Sequence, residues 1–378
     1  GTGATQFRPA EGKDKPLRAK KAWKSSERQE RETKNAERQT KDGRKKAEMR
    51  KRKNSARIVQ RLIDRTPAWL FLTVAALVMV FFTLMTMSEM GWLPFEMPGW
   101  SDLLGMSEPY EPVAQLEGEQ AAAVHMIDVG QGDSILIQTR EKTVLIDAGE
   151  RDQGQTVCDY LKSAGVEKLD LVIATHPHSD HIGGMADVLS QFAADEILMP
   201  EMTEDMVPTT SVFNRLLDEV EKQNVPVTAA QPGLVYDLGS GAELTVLAPL
   251  QDYDDLNDYS VVCRLDCGKT SFLFTGDAEK QVEQDLISAG ANLHADVLKA
   301  GHHGSNTSSC DAFLDTVSAK IAAVSCGQNN DYGHPHKEVL TRLSERGTTV
   351  YRTDLQGSVV FATDGTEIAV HTERGAAE

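Results

Sequence analysis

Residues 175–184 read T-H-P-H-S-D-H-I-G-G, directly after the apolar run L-V-I-A. His176, His178, Asp180 and His181 thus fall within six positions. Imidazole nitrogens and carboxylate oxygens are donors that zinc, manganese and iron accept, and so short a loop cannot wrap all four around one ion. The pattern points to two neighbouring metals, one on His176 and His178, the other on Asp180 and His181. A polar turn with incidental histidines is the blander alternative, and it leaves four donors without a use. Paired divalent ions lower the pKa of water from ~16 to ~7 and stabilise the attacking and leaving oxygens of a phosphoryl displacement. The chemistry in view is hydrolysis by a metal-bridging hydroxide.

Further chemistry-bearing residues recur at the ends of apolar runs. F-T-G-D-A at 274–278 puts Asp277 at a strand end before a helix, where a carboxylate can reach a cleft. G-H-H-G-S at 301–305 follows V-L-K-A; His302 directly follows the strand–glycine step and is favoured as a donor over His303, which would then orient a ligand. His334, in Y-G-H-P-H, is a candidate for binding a phosphate or protonating a leaving group; alternatively it is a loop histidine packed beside Pro335. Asp147 supports the histidine loop by hydrogen bonds or caps a turn. Asp128 and Asp133 flank a glycine hairpin and either support the site or form the turn.

H-x-H-x-D-H is the signature of the metallo-β-lactamase superfamily. Within it the chain resembles the C-terminal hydrolase domain of ComEC-type DNA-uptake proteins, from Val124 to Val370. The resemblance rests on I-D-V-G-Q-G-D-S (127–134), L-I-D-A-G (145–149), the histidine motif, F-T-G-D-A, H-H-G-S and Y-G-H-P-H. It implies a four-layer αββα sandwich with the metals at one edge of the sheets, and two divalent ions, zinc or alternatively manganese. It further implies a ligand set of His176, His178, Asp180, His181, Asp277 and His302 or His303, with Asp277 bridging. The catalytic set is then Asp180, Asp277 and His334. One departure stands out: many members carry another histidine before the bridging aspartate, yet none occurs here from Ile182 to Leu293. The first metal then has His176, His178, Asp277 and water, or borrows Asp258 from L-N-D-Y-S.

Elements must position these residues. Alternating or short apolar runs predict strands over 124–129, 134–139, 143–148, 171–175, 244–248, 259–265, 271–275, 297–300, 321–325, 349–353 and 358–362. Gly130–Gly132 marks a hairpin. Helices are expected over 155–164, 185–192, 211–222, 279–289, 310–318 and 337–346. Two strand-rich halves, each followed by helices, imply two packed sheets with helices outside. There is no Walker loop and no Rossmann fingerprint.

The net charge of −18 conceals two opposite regions. Residues 1–67 hold 22 of the 39 Lys and Arg and 9 of the 57 Asp and Glu, so the remainder is at −31. Residues 1–67 therefore read as a basic tail too poor in large apolar residues to bury a core. Residues 68–87 carry no charge; at ~1.5 Å per residue they span the ~30 Å of a bilayer's hydrocarbon, flanked by Trp69 and Trp92. The expected topology is a single-pass cell-membrane protein with a cytoplasmic N-terminus whose Lys and Arg meet anionic lipid, and an extracytoplasmic hydrolase domain. The Pro-rich stretch 88–120 is a linker, and the domain runs over 121–378. Five cysteines, an odd count, do not define a disulfide framework and read as small buried apolar residues.

The leading function is a membrane-anchored, extracytoplasmic, metal-dependent phosphodiesterase or nuclease, with a phosphodiester such as DNA as its partner. A DNA-uptake channel needs several spans, and this chain has one candidate. Because nucleic-acid affinity comes largely from Lys and Arg neutralising phosphates, a region at −31 favours a smaller diester, of phosphorylcholine type, unless a local basic patch exists. A lactone or β-lactam hydrolase uses the same nucleophile on an acyl carbon. The non-enzymatic alternative is a membrane tether or sensor.

Overall fold

The computed structural model describes residues 120–375 together with Met79 and Thr83. The expected basic tail, membrane span and linker lie outside the described residues, apart from Met79, Thr83 and Gln120. Among the described residues no helix is long and apolar enough to cross a membrane.

Two sheets form the centre. The first has eight strands in the order Ile368–Thr372, Val359–Thr363, Ala122–Met126, Ile135–Thr139, Thr143–Ile146, Leu171–Ile173, Ile197–Met199 and Val227–Ala229. The second has seven: Thr349–Arg352, Ile321–Val324, Val297–Lys299, Thr270–Phe274, Val262–Cys267, Ala242–Ala248 and Val235–Gly239. A pair of two-residue strands at Lys168–Leu169 and Ala193–Ala194 forms a minor third sheet.

The period-2 side-chain alternation of strands explains the layering. Ile135 and Ile137 join Val144, Ile146, Leu244, Val246, Phe272, Phe274 and Phe361 in a cluster shared by both sheets. Between them, Leu136 turns to the opposite face, with Val157, Leu161, Val188, Leu189, Phe213 and Leu216 of the helices Gly154–Ser163, Met185–Gln191 and Ser211–Gln223. Leu273 likewise leaves the shared face for Val282, Leu286, Phe313, Leu314, Val339 and Leu343 of Lys280–Ser288, Asp311–Val317 and Lys337–Glu345. Helix, sheet, sheet, helix is the resulting αββα stack. All five cysteines are buried and free; Cys263 and Cys267 share one face and join the central cluster.

The two halves of the chain do not map simply onto the two sheets. Val359–Thr363 leaves the second half and pairs antiparallel with Ala122–Met126 of the first sheet, with Ile368–Thr372 on its other side. The strand foreseen at 259–265 starts later, at Val262, because Asn257–Tyr259 forms a 3-10 turn first. Each sheet also has a parallel block: Thr143–Ile146, Leu171–Ile173 and Ile197–Met199 in one, Thr270–Phe274, Val297–Lys299 and Ile321–Val324 in the other. Residues leaving the carboxyl ends of these strands, where open α/β sheets bind ligands, include Asp147, His176, Asp277 and His303.

Candidate metal centre

Four residues singled out in the sequence bring their donor atoms together. Asp180, His181, Asp277 and His303 each offer an atom within 4.8 Å of the others. Asp277 Oδ2 is the hub, 3.2 Å from His181 Nε2, 3.5 Å from His303 Nε2, 3.7 Å from His302 Nε2 and 3.9 Å from His176 Nε2. His176 Nε2 lies 3.1 Å from His178 Nδ1, so the two loop histidines face each other on one flank of that carboxylate. Asp180 Oδ2 sits 3.3 Å from His303 Nε2.

The histidine tautomers are set from behind. His181 Nδ1 donates to Asp147 Oδ2 at 2.7 Å, and His303 Nδ1 donates to the Ser325 carbonyl at 3.0 Å. In the neutral rings each Nε2 therefore keeps its lone pair, and it points into the cluster. Both Nε2 atoms, together with Asp277 Oδ1 and Asp133 Oδ1, are buried without a hydrogen-bond partner. Convergent, orphaned nitrogen and oxygen donors of this kind suit a divalent cation such as zinc or manganese.

Electrostatics agree. Burial alone would lower His303, yet Asp277 and Asp133 outweigh it and raise the ring to about 9. His181 is also raised against its burial, by Asp277 and Asp147. Asp277 and Asp180 stay well below the usual carboxylate range despite burial, held there chiefly by His181 and His303. His176, unlike the other two rings, is pushed well below the ordinary histidine value by burial and by His181. The cluster is a well of negative potential in which protons and metal ions compete for the same lone pairs.

Asp147 does what its support role requires. Its Oδ1 takes the Thr175 amide at 2.9 Å and its Oδ2 the Thr175 hydroxyl at 2.6 Å, besides His181. The two aspartates around the glycine hairpin separate. Asp128 accepts the Gly130 amide and pairs with Arg374, which makes it a turn residue. Asp133 belongs to the site, with Oδ1 3.4 Å from His303 Nδ1 and Oδ2 3.9 Å from His181 Nδ1. Gly132 lets that loop touch the histidine loop: a Cβ there would lie 2.3 Å from the Asp180 carbonyl, at φ +142°.

The structure groups His303, rather than the favoured His302, with the donors of Asp180, His181 and Asp277. Both His302 and His303 adopt left-handed backbone, φ 48° and 54°, so the chain turns tightly and drives the second ring inward. His303 is buried in the cluster, whereas His302 stands at the cleft wall with Nδ1 3.1 Å from Glu279 Oε1. Asp258 likewise turns away, accepting the Glu279 amide at 3.0 Å. Its neighbour Asn257 lines the cleft instead, with a buried Oδ1 that has no partner.

Sequence reasoning passed over two side chains. Lys299 is fully buried, its ammonium 2.6 Å from Asp133 Oδ2, donating to the Gly276 carbonyl at 2.9 Å and 3.8 Å from Asp277 Oδ1. The signal was there: a lysine inside an otherwise apolar strand, V-L-K-A. Ser260 receives the Asp277 amide at 3.0 Å and lies 3.3 Å from His176 Nδ1, tying the two together.

The cluster opens into a cleft of about 310 Å³ lined by Gln131, His178, Asp180, Asn257, Tyr332 and His334 among others. His334 is buried, its Nδ1 has no partner, and burial with the nearby His303 lowers it to about 4. Tyr332, 67% exposed, stacks on His334 with ring centroids 5.6 Å apart.

The model of the metallo-beta-lactamase superfamily matches residues 127–328, a span holding the entire cluster. The chain belongs to the metallo-beta-lactamase superfamily. Within that superfamily it is 32% identical over 269 residues to ComE operon protein 3 of Bacillus subtilis, covering 66% of this chain and 34% of that protein. It is 34% identical over 256 residues to the competence protein ComA of Neisseria gonorrhoeae, covering 67% and 33%. The chain thus spans about a third of the length of the curated relatives it matches. The metallo-beta-lactamase fold protein YhfI of Bacillus subtilis aligns with a TM-score of 0.44 at 15% identity, over 64% of this chain and all of that one.

Proposed function

We propose that this superfamily member is a membrane-anchored phosphodiesterase that cleaves single-stranded DNA outside the cytoplasm. The observation that carries the reading is the convergence of His181, Asp277 and His303 donors, orphaned and buried, at the floor of an open polar cleft. His176, His178 and Asp277 would hold one divalent ion, and Asp180, His181, His303 and Asp277 the other. When bound, such a pair acidifies water and offsets the charge that builds on a phosphate under attack.

The chain's own residues supply the rest. Asp147 and the Ser325 carbonyl fix the tautomers, and Ser260 fixes the spacing of His176 and Asp277. His334 offers a neutral imidazole to a phosphate oxygen, and Tyr332 presents a face on which a nucleobase can stack. The cleft lining is dominated by polar side chains, which suits a charged diester better than an apolar acyl chain. Residues 68–87 would anchor the chain, with the basic tail against anionic lipid.

The acidic charge of the chain beyond residue 67 favours a second reading, a small diester. One comparison separates these: full-length protein, with its metal content measured, assayed on single-stranded DNA, bis-(p-nitrophenyl) phosphate and a lactone. DNA and the small diester should both be cleaved and the lactone spared. Cleavage of the small diester alone supports the second reading. Absence of transition metal, with no activity on adding it, overturns both.

A further inference from the structure

Most Lys and Arg of this acidic domain are neutralised by an Asp or Glu partner, as in Lys142–Asp170, Arg215–Asp187, Lys320–Asp296 and Arg346–Asp311. Lys280 and Arg342 form no such pair among the described residues. They line the same cavity, about 330 Å³, with Gln284, Asn306, Thr307 and Ser308. Arg342 donates to Asn306 Oδ1 at 2.8 Å, while its Nε is buried with no partner. Of two acids here, Glu283 spends its carboxylate on the Ser309 and Cys310 amides, and Asp311, which lines the cavity itself, is paired with Arg346.

This cavity adjoins the candidate metal centre. The loop that carries His302 and His303 continues into Asn306 and Thr307, and His302 Nδ1 lies 3.2 Å from Thr307 Oγ1. The Asn306 amide donates to His336 Nδ1 at 2.9 Å, joining the loop to the segment that bears His334. One wall therefore separates the candidate metal cleft from a cavity with two cations that form no ion pair among the described residues and with hydroxyl and amide groups.

We propose that this second cavity binds a backbone phosphate of the DNA strand next to the one being cleaved. The inference rests on the phosphodiesterase reading and deepens it. A small diester fills only the metal cleft; a strand reaches both. Lys280 and Arg342 bring two cations to one cavity, the kind of local contact that a polyanion needs on an acidic surface.

The test uses the full chain and the variants Lys280→Gln, Arg342→Gln, both together, and Arg342→Lys. Binding of a fluorescein-labelled, hydrolysis-resistant phosphorothioate oligothymidylate is measured across a salt series. Cleavage is measured on single-stranded DNA and on bis-(p-nitrophenyl) phosphate. The double Gln variant should reduce the salt slope by about 0.7, the value for one phosphate contact on a single strand, and each single variant by part of that. The double variant should weaken binding about tenfold and raise KM for DNA, with turnover of the small diester unchanged and Arg342→Lys near wild type. Thermal melts accompany every variant, and the exposed Lys280 gives a substitution that leaves packing intact. Unaltered oligothymidylate binding in the double variant overturns the proposal, as do equal losses on both substrates or no binding by wild type. If wild type binds the oligothymidylate through these residues yet hydrolyses neither diester, the cavity stands and the phosphodiesterase reading falls.

Discussion

Lys299 and Asp133 form an ion pair of 2.6 Å in which neither side chain is appreciably exposed. Asp133 arrives on the loop before Ile135–Thr139, in the first sheet, and Lys299 is the last residue of Val297–Lys299, in the second. The pair therefore bolts the two sheets together beside the donor cluster. It also balances charge: Asp133, Asp147, Asp180 and Asp277 crowd the centre, and Lys299 is the fixed cation among them. Burial alone would raise Asp133, but Lys299 and His303 hold its carboxyl well below the usual range.

Removing one partner should thus be worse than removing both. Lys299→Met leaves a buried carboxylate without its main counter-charge, and such broken pairs typically cost about 3–5 kcal/mol. Adding Asp133→Asn should recover part of that loss, giving a coupling energy in a double-mutant cycle. Urea melts of metal-free protein read both. A loss below about 1 kcal/mol for the single variant would mean that the pair carries little stability.

Much of this arrangement was legible beforehand. The histidine loop, Asp277 and the two-histidine turn each follow a short apolar run, and those runs became the parallel strands that end at the site. What escaped was anything set by contact across the sheets. The return of Val359–Thr363 to the first sheet is a long-range pairing with no local signature. The choice between His302 and His303 depended on two consecutive left-handed residues, a conformation that spacing does not encode. Lys299 stood out as a lysine inside an apolar strand, but its partner Asp133 comes from the other sheet, which no local pattern names. Short strands such as Ile197–Met199 and Val227–Ala229 hold too few residues to show a period.

Asp277 should be indispensable to turnover. Its Oδ2 lies within 4 Å of four histidine rings, so Asp277→Asn removes the negative charge at the hub while preserving shape. Loss of at least one metal equivalent and of nearly all hydrolysis is expected, read by elemental analysis and the bis-(p-nitrophenyl) phosphate assay. Melting must be followed in parallel, because protons held on His181 and His303 lose their counter-charge. Full metal content with normal turnover would remove Asp277 from the centre.

His125, far from the chemistry, should govern part of the acid sensitivity. It is fully buried on Ala122–Met126, its Nδ1 2.8 Å from the Tyr160 hydroxyl, and burial lowers it to about 3. The folded value lies below the ordinary 6.5, so the contribution is fully present above about pH 6.5. It is lost as pH falls from there toward 3, at up to ~1.4 kcal/mol per unit. His125→Gln cannot take up that proton and should flatten the stability profile between pH 6.5 and 4. Superimposable slopes for wild type and variant would show that other groups set the acid limb.

His334 divides binding from proton transfer. An imidazole lowered to about 4 is neutral at pH 7, so it has no readily released proton to give a leaving group. It can still donate one N–H hydrogen bond, and its Nδ1 is buried without a partner at the cleft wall. A hydrogen bond to a charged phosphate is worth roughly 1.5–3 kcal/mol, or about 10- to 150-fold. His334→Ala should therefore lower kcat/KM by that factor with metal content unchanged. The loss should be the same on bis-(p-nitrophenyl) phosphate, whose leaving group needs no proton, and on DNA, whose alkoxide does. His334→Gln, which keeps a donor, should recover part of it. A loss much larger on DNA than on the nitrophenyl diester would instead mean that the ring delivers a proton during turnover. Activity unchanged on both would confine catalysis to the donor cluster and its metals.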